Sequence, residues 1–460
     1  MIEAPSLNSD SNTDQPGPRP SRYAIYAVSV MAAAMFLSTF DQAVLPAVAA
    51  SIQVEFGISD TEIGVLVSAF TVALAVAAMP IGYCIDRWRR RTILGLGLTV
   101  WSLATLVTGL TRTFPQMLAI RAVLGIGEAT ANPVSVSLIG DYFPRRARGR
   151  AMSAIVMAVT LGLGVGTIAG GAVGFRLGWR WAFYLAAVPG LLVAVLAFAL
   201  REPLRGAAEM RGPKVASAHD SGLRAFPRLL RIRSYTAAMA ASATVGLAVG
   251  ALQFIALYLH RRFGLNIAQA GALLGVPMLV GSIVGTPTVG WLLDWRSRRS
   301  ARAPAEVGLV ALVLIALTTP IMFSARSLVV FEPAMLVFAC VSAGAIVAPM
   351  VLIQSVVIPS LRASAASMGN MIGRLFGFAV GPLIIGAVSD LAYHDLGLSL
   401  LMLTPTAALG ASAFMAVALA NMKREVEAME ESWALKAPPA SPMREADRSE
   451  AELVHAARHP

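Results

Sequence analysis

Charge is what this sequence has least of for its length. Of 460 residues only 14% are Asp, Glu, Lys or Arg, while 57% are apolar. A chain folded in water carries charge at about a quarter of its positions, so the composition excludes a soluble globular protein. Cysteine is scarcer still. Cys84 and Cys340 fall in different halves and at opposite ends of their apolar runs, which argues against a disulfide and for small packing residues. None of the five histidines lies near the middle of an apolar run, and none is spaced with a cysteine or carboxylate as a ligand pair. There is no HExxH and no Ser/His/Asp arrangement, so we expect no metal, no cofactor, no catalytic residue and no enzyme. The first 20 residues are polar and lack the basic and apolar regions of a signal peptide, so the first apolar run is expected to be retained.

Long apolar runs are what the sequence has instead. A membrane-crossing helix needs about 20 such residues. Twelve runs meet that need, near 23–50, 62–85, 92–110, 115–140, 150–175, 181–200, 235–260, 269–293, 305–325, 331–357, 365–390 and 397–421. With the N-terminus inside, the leading tail and inward connections hold 23 of the 37 Lys and Arg residues. The outward connections hold only Arg112, Arg176, Arg180, Arg261, Arg262 and Arg326. Basic residues gather on the cytoplasmic side of membrane proteins, so both termini are expected to be cytoplasmic. The net charge of +11 then faces anionic lipid headgroups along one membrane surface, and nucleic acid is excluded as a partner.

The runs divide six and six about residues 201–233, the longest connection, which carries eight basic residues. The halves echo each other: GYCIDRWRRR from Gly82 matches GWLLDWRSRR from Gly290, which pairs Asp86 with Asp294. Pro144, Gly162, Gly166 and Gly171 recur as Pro359, Gly377, Gly381 and Gly386. A repeat with both copies in one orientation implies two six-helix bundles about an axis along the membrane normal, with a substrate path between them. The expected architecture is an all-α membrane protein: a disordered cytoplasmic tail (1–21), an N-terminal bundle (22–200), a central cytoplasmic loop (201–234), a C-terminal bundle (235–421) and a cytoplasmic tail (422–460). A short helix is expected in KREVEAMEESWALK of that last tail. Gly162, Gly166, Gly170 and Gly174, and again Gly369, Gly373, Gly377 and Gly381, form stripes at i+4 spacing, with a shorter one at Gly281 and Gly285. Small residues at that spacing let helices approach closely in lipid.

Four ionisable residues lie well inside spans: Asp41, Arg121, Glu128 and Arg374. Arg121, Gly125, Glu128 and Asn132 are spaced to share one face of the fourth helix. Seven residues rise about 10.5 Å, too far for an easy Arg121–Glu128 pair. From the outward end, Arg121 is about 6 residues deep, Asp41 about 9 and Glu128 about 13, so Asp41 is the better partner for Arg121. Burial favours the neutral form of a carboxylate and a nearby guanidinium its ionised form. Asp41 and Glu128 are therefore the expected proton carriers and Arg121 a switchable counter-ion; the alternative is a permanent ion pair fixing the first helix to the fourth. Arg374, with Asn370 one turn earlier, is placed to bind a carboxylate or phosphate of a substrate; the alternative is that it serves only as a partner to another charge. Gln253 is a further cavity candidate in the seventh span.

These residues resemble the major facilitator superfamily over about 22–421. GYCIDRWRRR is similar to its signature G-x-L-x-D-R-x-G-R-R, with Cys84 for the leucine and Arg89 for the second glycine. The resemblance implies the major facilitator fold and a gate built by Gly82, Asp86, Arg90 and Arg91, with Asp141 and Asp294 at equivalent connections. In it Asp86 caps the cytoplasmic end of the eleventh helix while Arg90 or Arg91 joins a charge network holding the outward-facing state. Arg87 and Arg89 read as headgroup anchors. Within the superfamily, RAVLGIGEATANPVSVSLIGDYFPRRARGRAMS and STFDQAVLPAV resemble the Spinster-like branch. That branch commonly has an arginine after the aspartate of the first helix, where this chain has Gln42. The resemblance implies a proton-coupled secondary transporter of the bacterial plasma membrane, a monomer whose partners are protons, membrane lipids and a small amphiphilic or anionic cargo such as a lysolipid. An organic-acid or drug carrier of another branch and a non-transporting receptor or scaffold are the alternatives.

Overall fold

The computed structural model describes residues 22–143, 145–203, 226–357, 361–392 and 395–436. The expectations for the leading tail, most of the central loop, Pro144, Pro359 and the last residues of the chain lie outside these. Twelve helices are long and apolar enough to cross a membrane. In chain order they are α1 (Arg22–Phe56), α2 (Asp60–Arg87), α3 (Arg90–Thr108), α4 (Phe114–Tyr142), α5 (Ala147–Leu177), α6 (Trp179–Phe198), α7 (Arg233–Phe263), α8 (Ile267–Ser297), α9 (Ala303–Ser324), α10 (Leu328–Ser355), α11 (Ala365–Leu391) and α12 (Leu396–Glu427). Among the described residues there is no strand. Because the count is even, α1 begins and α12 ends on one face, here called the terminal face; the opposite one is the far face. The chain is an integral, multi-pass membrane protein.

Local chemistry repeats between the halves at the far face. Gly57 and Gly264 both take positive φ, +63° and +65°, as only a residue without Cβ does easily. Each is followed by a capping box, Ser59 with Glu62 at the start of α2 and Asn266 with Gln269 at the start of α8. Side chain and backbone satisfy each other's first-turn N–H groups there, so both helices start at a defined residue.

The glycine stripes are seams. On α5, a Cβ at Gly162 or Gly166 would strike the α1 backbone at Phe36 or Phe40, and one at Gly174 the side chain of Val48. The equivalent seam of the second half puts Gly377 and Gly381 of α11 against Gly246 and Leu247 of α7. Two further seams join the bundles: Gly164 and Gly171 of α5 meet Gly275 and Gly271 of α8, and Gly64 of α2 meets the Pro382 carbonyl of α11.

Several helices depart from the regular form. α4 breaks at Ala129–Thr130 into Phe114–Glu128 and Ala131–Tyr142. Pro133 accounts for this, since it has no N–H for the Ala129 carbonyl and its ring crowds the preceding turn. α8 and α11 contain π segments at Gly281–Gly285 and Gly373–Ala379. The last helix does not stop near 421 but runs from Leu396 to Lys436, so the helix expected in the tail continues the final span.

Seam tightness is testable by adding one methyl group. A Cβ at Gly166 would lie 2.6 Å from the Phe40 carbonyl oxygen, whereas one at Gly140 meets nothing within 4 Å. Gly166→Ala is expected to destabilise by about 1–3 kcal/mol through overpacking. Gly140→Ala is expected to be neutral or to gain up to about 1 kcal/mol. Thermal unfolding in detergent separates them; equal unfolding temperatures would show the α1–α5 seam to be loose.

Candidate functional site

The four central charges sit on three helices, α1, α4 and α11. Asp41 of α1 is fully buried and Arg121 of α4 is 2% exposed. Arg121 Nη1 lies 3.8 Å from Asp41 Oδ2, and Trp101 Nε1 of α3 donates to the same oxygen at 3.4 Å. The guanidinium carbon stands 5.2 Å from the centre of the Phe183 ring on α6. This is a long, incomplete pair: among the described residues Asp41 Oδ1, Arg121 Nε and Arg121 Nη2 have no hydrogen-bond partner. Buried polar atoms left unpaired cost about 1–3 kcal/mol each, so the arrangement leaves open valences for water, a proton or a ligand.

Glu128 lies on the other side of Asp41's helix turn. Ser38 Oγ and Gln42 Nε2, both from α1, donate to its Oε1, while Oε2 has no partner among the described residues. Gln42 thus has a definite role, as a neutral donor to a buried carboxylate. Sequence reasoning singled out Gln42 only as a departure from the branch and passed over Ser38 and Trp101. Their one signal was position, a turn or less from Asp41 or facing it.

Arg374 opens the π segment of α11, is exposed, and acts electrostatically on Glu128 from the opposite bundle. The two belong to opposite halves of the chain, Glu128 to α4 and Arg374 to α11. Asn370 is exposed one turn before Arg374, and Gln253 is half-buried on α7. The single wet stripe expected on α4 is not what the structure has. Gly125 is pressed against the α2 backbone at Phe70 and Leu74, and Asn132 is exposed beyond the Pro133 break. The i, i+4, i+7, i+11 spacing keeps one face only in an unbroken helix.

At the terminal face, Arg90 is 2% exposed and enclosed by its own bundle. It bonds Asp141 of α4, Glu202 Oε1 at 2.9 Å, Ser137 Oγ at 3.0 Å and the Pro203 carbonyl at 3.1 Å. Arg91 donates its backbone N–H to Glu202 and its side chain to the Leu200 carbonyl, both at 3.0 Å. Gly82 and Asp86 end α2 nearby, with Asp86 exposed; Asp294 is exposed at the corresponding end of α8. Arg90, Arg91 and Asp141 are thus gathered in the N-terminal bundle, and Asp294 stands apart from them.

The far face carries a stronger cluster that sequence reasoning missed. Asp60 at the start of α2 is fully buried. Arg261 of α7 binds both its oxygens, at 2.7 and 2.8 Å, and also Gln53 of α1 at 2.9 Å. Ser389 of α11 donates to Asp60 at 2.6 Å. Asp390 in turn accepts the backbone N–H groups of Asp60 and Thr61 at 3.2 and 2.9 Å, so a carboxylate of one bundle caps a helix of the other. Four helices from both halves are tied at one point. In sequence, Asp60, Arg261 and Asp390 look like ordinary charges at span ends. The one hint was that Arg261 is among only six basic residues in the connections expected to face outward.

Comparison with known proteins gives the family. Residues 31–382 fit the family model described as Major Facilitator Superfamily. The chain belongs to that superfamily. It is 30% identical to the sphingosine-1-phosphate transporter SPNS2 of Mus musculus, over 88% of this chain and 79% of that protein. It is 27% identical to Protein spinster of Drosophila melanogaster, over 79% and 62%. Among solved structures, a bacterial homolog of the human lysosomal transporter Spinster, inward-facing and unoccupied, superposes with a TM-score of 0.75. That likeness covers 91% of this chain and all of the other at 23% identity, and speaks for the fold alone. This Major Facilitator chain is a transporter of the Spinster branch and not an enzyme.

The far-face cluster should hold the bundles closed there. Breaking a buried ion pair by removing one partner costs about 3–5 kcal/mol. Arg261→Gln is therefore expected to release the far ends. Spin labels at Val54 and Leu391, 84% and 83% exposed on opposite bundles, report the separation. The variant should gain a longer distance; an unchanged distribution would show that the cluster does not hold the face shut.

Proposed function

We propose that this protein is a proton-coupled secondary transporter working by alternating access, and that it carries an amphiphile with one anionic head, of the lysolipid type. The terminal face lies in the cytoplasm of this reading, in keeping with the basic residues on that side, and the far-face cluster closes the outward side. The observation that carries the proposal is the unfinished bonding of the central charges. Glu128 Oε2 has no partner among the described residues, and Asp41 and Arg121 are paired at 3.8 Å with three atoms unmet. Ionisable residues inside spans ordinarily mark a pathway, because hydrocarbon makes them costly to keep otherwise.

The charges explain how proton and cargo travel together. With both carboxylates ionised, Asp41 and Glu128 balance Arg121 and Arg374. A proton on Glu128 leaves Arg374 uncompensated, and its planar fork then accepts a phosphate or carboxylate. Losing the proton restores Glu128 as the competitor and expels the anion. Asp41 exchanges its proton as the Arg121 pair opens and closes. The relatives that transport sphingosine-1-phosphate support an anionic head with an apolar tail as the cargo. A second reading, a small organic acid, is favoured by 29% identity to the probable L-galactonate transporter of Escherichia coli over 60% of this chain. The protein acts as a monomer in a bacterial plasma membrane, with Gly82, Asp86 and Asp294 closing the terminal face in the opposite state.

Proteoliposome uptake tests this. Labelled lysolipids and short organic acids are offered with and without a pH gradient, and the preferred class decides between the two cargo readings. Glu128→Gln and Asp41→Asn should lose the response to the gradient, by tenfold or more on the order of a removed coupling group. Arg374→Gln should raise the cargo concentration for half-maximal uptake while leaving the gradient response of what remains. If both carboxylate variants respond as the unmodified protein does, the proton role is wrong and the Asp41–Arg121 pair is structural.

A further inference from the structure

A basic cleft of about 540 Å³ opens on the terminal face of the C-terminal bundle, well away from the central charges. Its walls are the α8–α9 connection, with Arg299, Ser300 and Arg302, and the end of α12, with Lys423 and Glu427. Glu306 also lines it but is already engaged, taking Arg296 Nε at 2.6 Å and Ser300 Oγ at 3.4 Å. The Lys423–Glu427 pair is 3.9 Å long and well exposed, so it is weak and screened. Arg299, Arg302 and Lys423 therefore outnumber the carboxylate left to them. Arg302 Nε is buried there and meets no acceptor among the described residues.

An apolar track leads to this cleft. Arg299 stands 4.6 Å over the Trp295 ring, which stacks on Trp291 at 6.1 Å and 17°. Trp291 is 64% exposed, and Val280, Ile283 and Val284 continue the exposed strip along α8. Tryptophan concentrates where headgroups meet hydrocarbon, and basic pockets beside such a belt recognise anionic lipid heads. A free phosphate would use the arginines and leave the track unexplained; a phospholipid uses both.

We propose that this cleft is a binding site for an anionic phospholipid, with the phosphate held by Arg299 and Arg302 and an acyl chain lying along Trp295, Trp291 and the α8 strip. The site is independent of the transport reading. The lipid joins the α8–α9 connection to the helical continuation of α12 and so braces the terminal end of one bundle.

Native mass spectrometry of the delipidated full-length protein, titrated with phosphatidylglycerol or with phosphatidylcholine of the same chains, tests the assignment. One phosphatidylglycerol should be retained, with phosphatidylcholine at least tenfold weaker. Arg299→Gln with Arg302→Gln should weaken the first about thirtyfold and leave the second unchanged. Since Arg302 precedes α9, Arg299→Gln alone is the control for folding: it should lose about fivefold at an unaltered unfolding temperature. Trp291→Ala should weaken phosphatidylglycerol but not glycerol phosphate. Equal retention of the two lipids, or wild-type retention by the double variant, overturns the site. Displacement by glycerol phosphate at equal concentration overturns the lipid and assigns a soluble phosphate instead.

Discussion

Taking an ion out of water costs several kcal/mol even after the protein relaxes around it, and only close, complete pairing repays that cost. The charged residues of this chain divide according to how fully they meet that demand. Asp60 is buried and saturated, with a two-pronged guanidinium, an amide and a hydroxyl on its oxygens. Arg90 is enclosed in the same way within its bundle. Asp41, Arg121 and Glu128 are as buried as these but keep four unmet atoms between them. A saturated charge has no reason to change partners, whereas an unsaturated one gains whenever water, a proton or an anion arrives. Asp60 and Arg90 stand at the ends of helices, and the incomplete Asp41, Arg121 and Glu128 set stands within them.

The seams fix what must change when the halves move. Lipid offers no hydrophobic drive between helices, so contact depends on close backbone approach. The α5–α8 and α2–α11 contacts achieve it with glycines facing glycines or carbonyls. In the α5–α8 seam Leu279 and Ile168 also seat their side chains against Gly164 and Gly275, and the ion pair and helix cap across the boundary stand at Asp60 and Asp390. α11 carries both ends of the device. Its last turn holds Ser389 and Asp390 on α2, and its π segment carries Arg374. A π segment is a place where one residue is accommodated out of register. In the alternating-access mechanism we propose, a displacement of α11 would move the far-face cluster and Arg374 together.

Much of this was legible before any coordinates. Span number, the six-and-six division and the nearness of Asp41 to Arg121 follow from hydropathy, repeat spacing and depth counting, because lipid imposes one helix length and one penalty on charge. Those rules apply to each helix singly. The α4 stripe failed because Pro133 acts on the Ala129 carbonyl one turn back, so the periodicity was counted through a break. Asp60 and Arg261 escaped notice because a charge at a span end is cheap in any case, and a sequence separation of 201 hides the contact. The continuation of α12 to Lys436 was invisible to hydropathy, which records the loss of apolar character at 421 and not the persistence of backbone hydrogen bonds. The basic cleft likewise needs two segments more than a hundred residues apart to be seen as one surface.

Gln42 sharpens the charge balance at the centre. With Asp41 and Glu128 ionised against Arg121 and Arg374, the four charges sum to zero. An arginine at position 42, as the resemblance leads one to expect, would add a positive charge beside Glu128 that no protonation change removes. The space between the bundles would then attract an anion whether or not a proton was present. A glutamine keeps the hydrogen bond to Glu128 and contributes no charge. On the proton-coupled mechanism we propose, positive excess then exists only while a carboxylate is protonated, and anion affinity follows the proton. In such a site a single neutral donor in place of a cation makes the coupling stricter, at the expense of affinity for cargo carrying more than one negative charge.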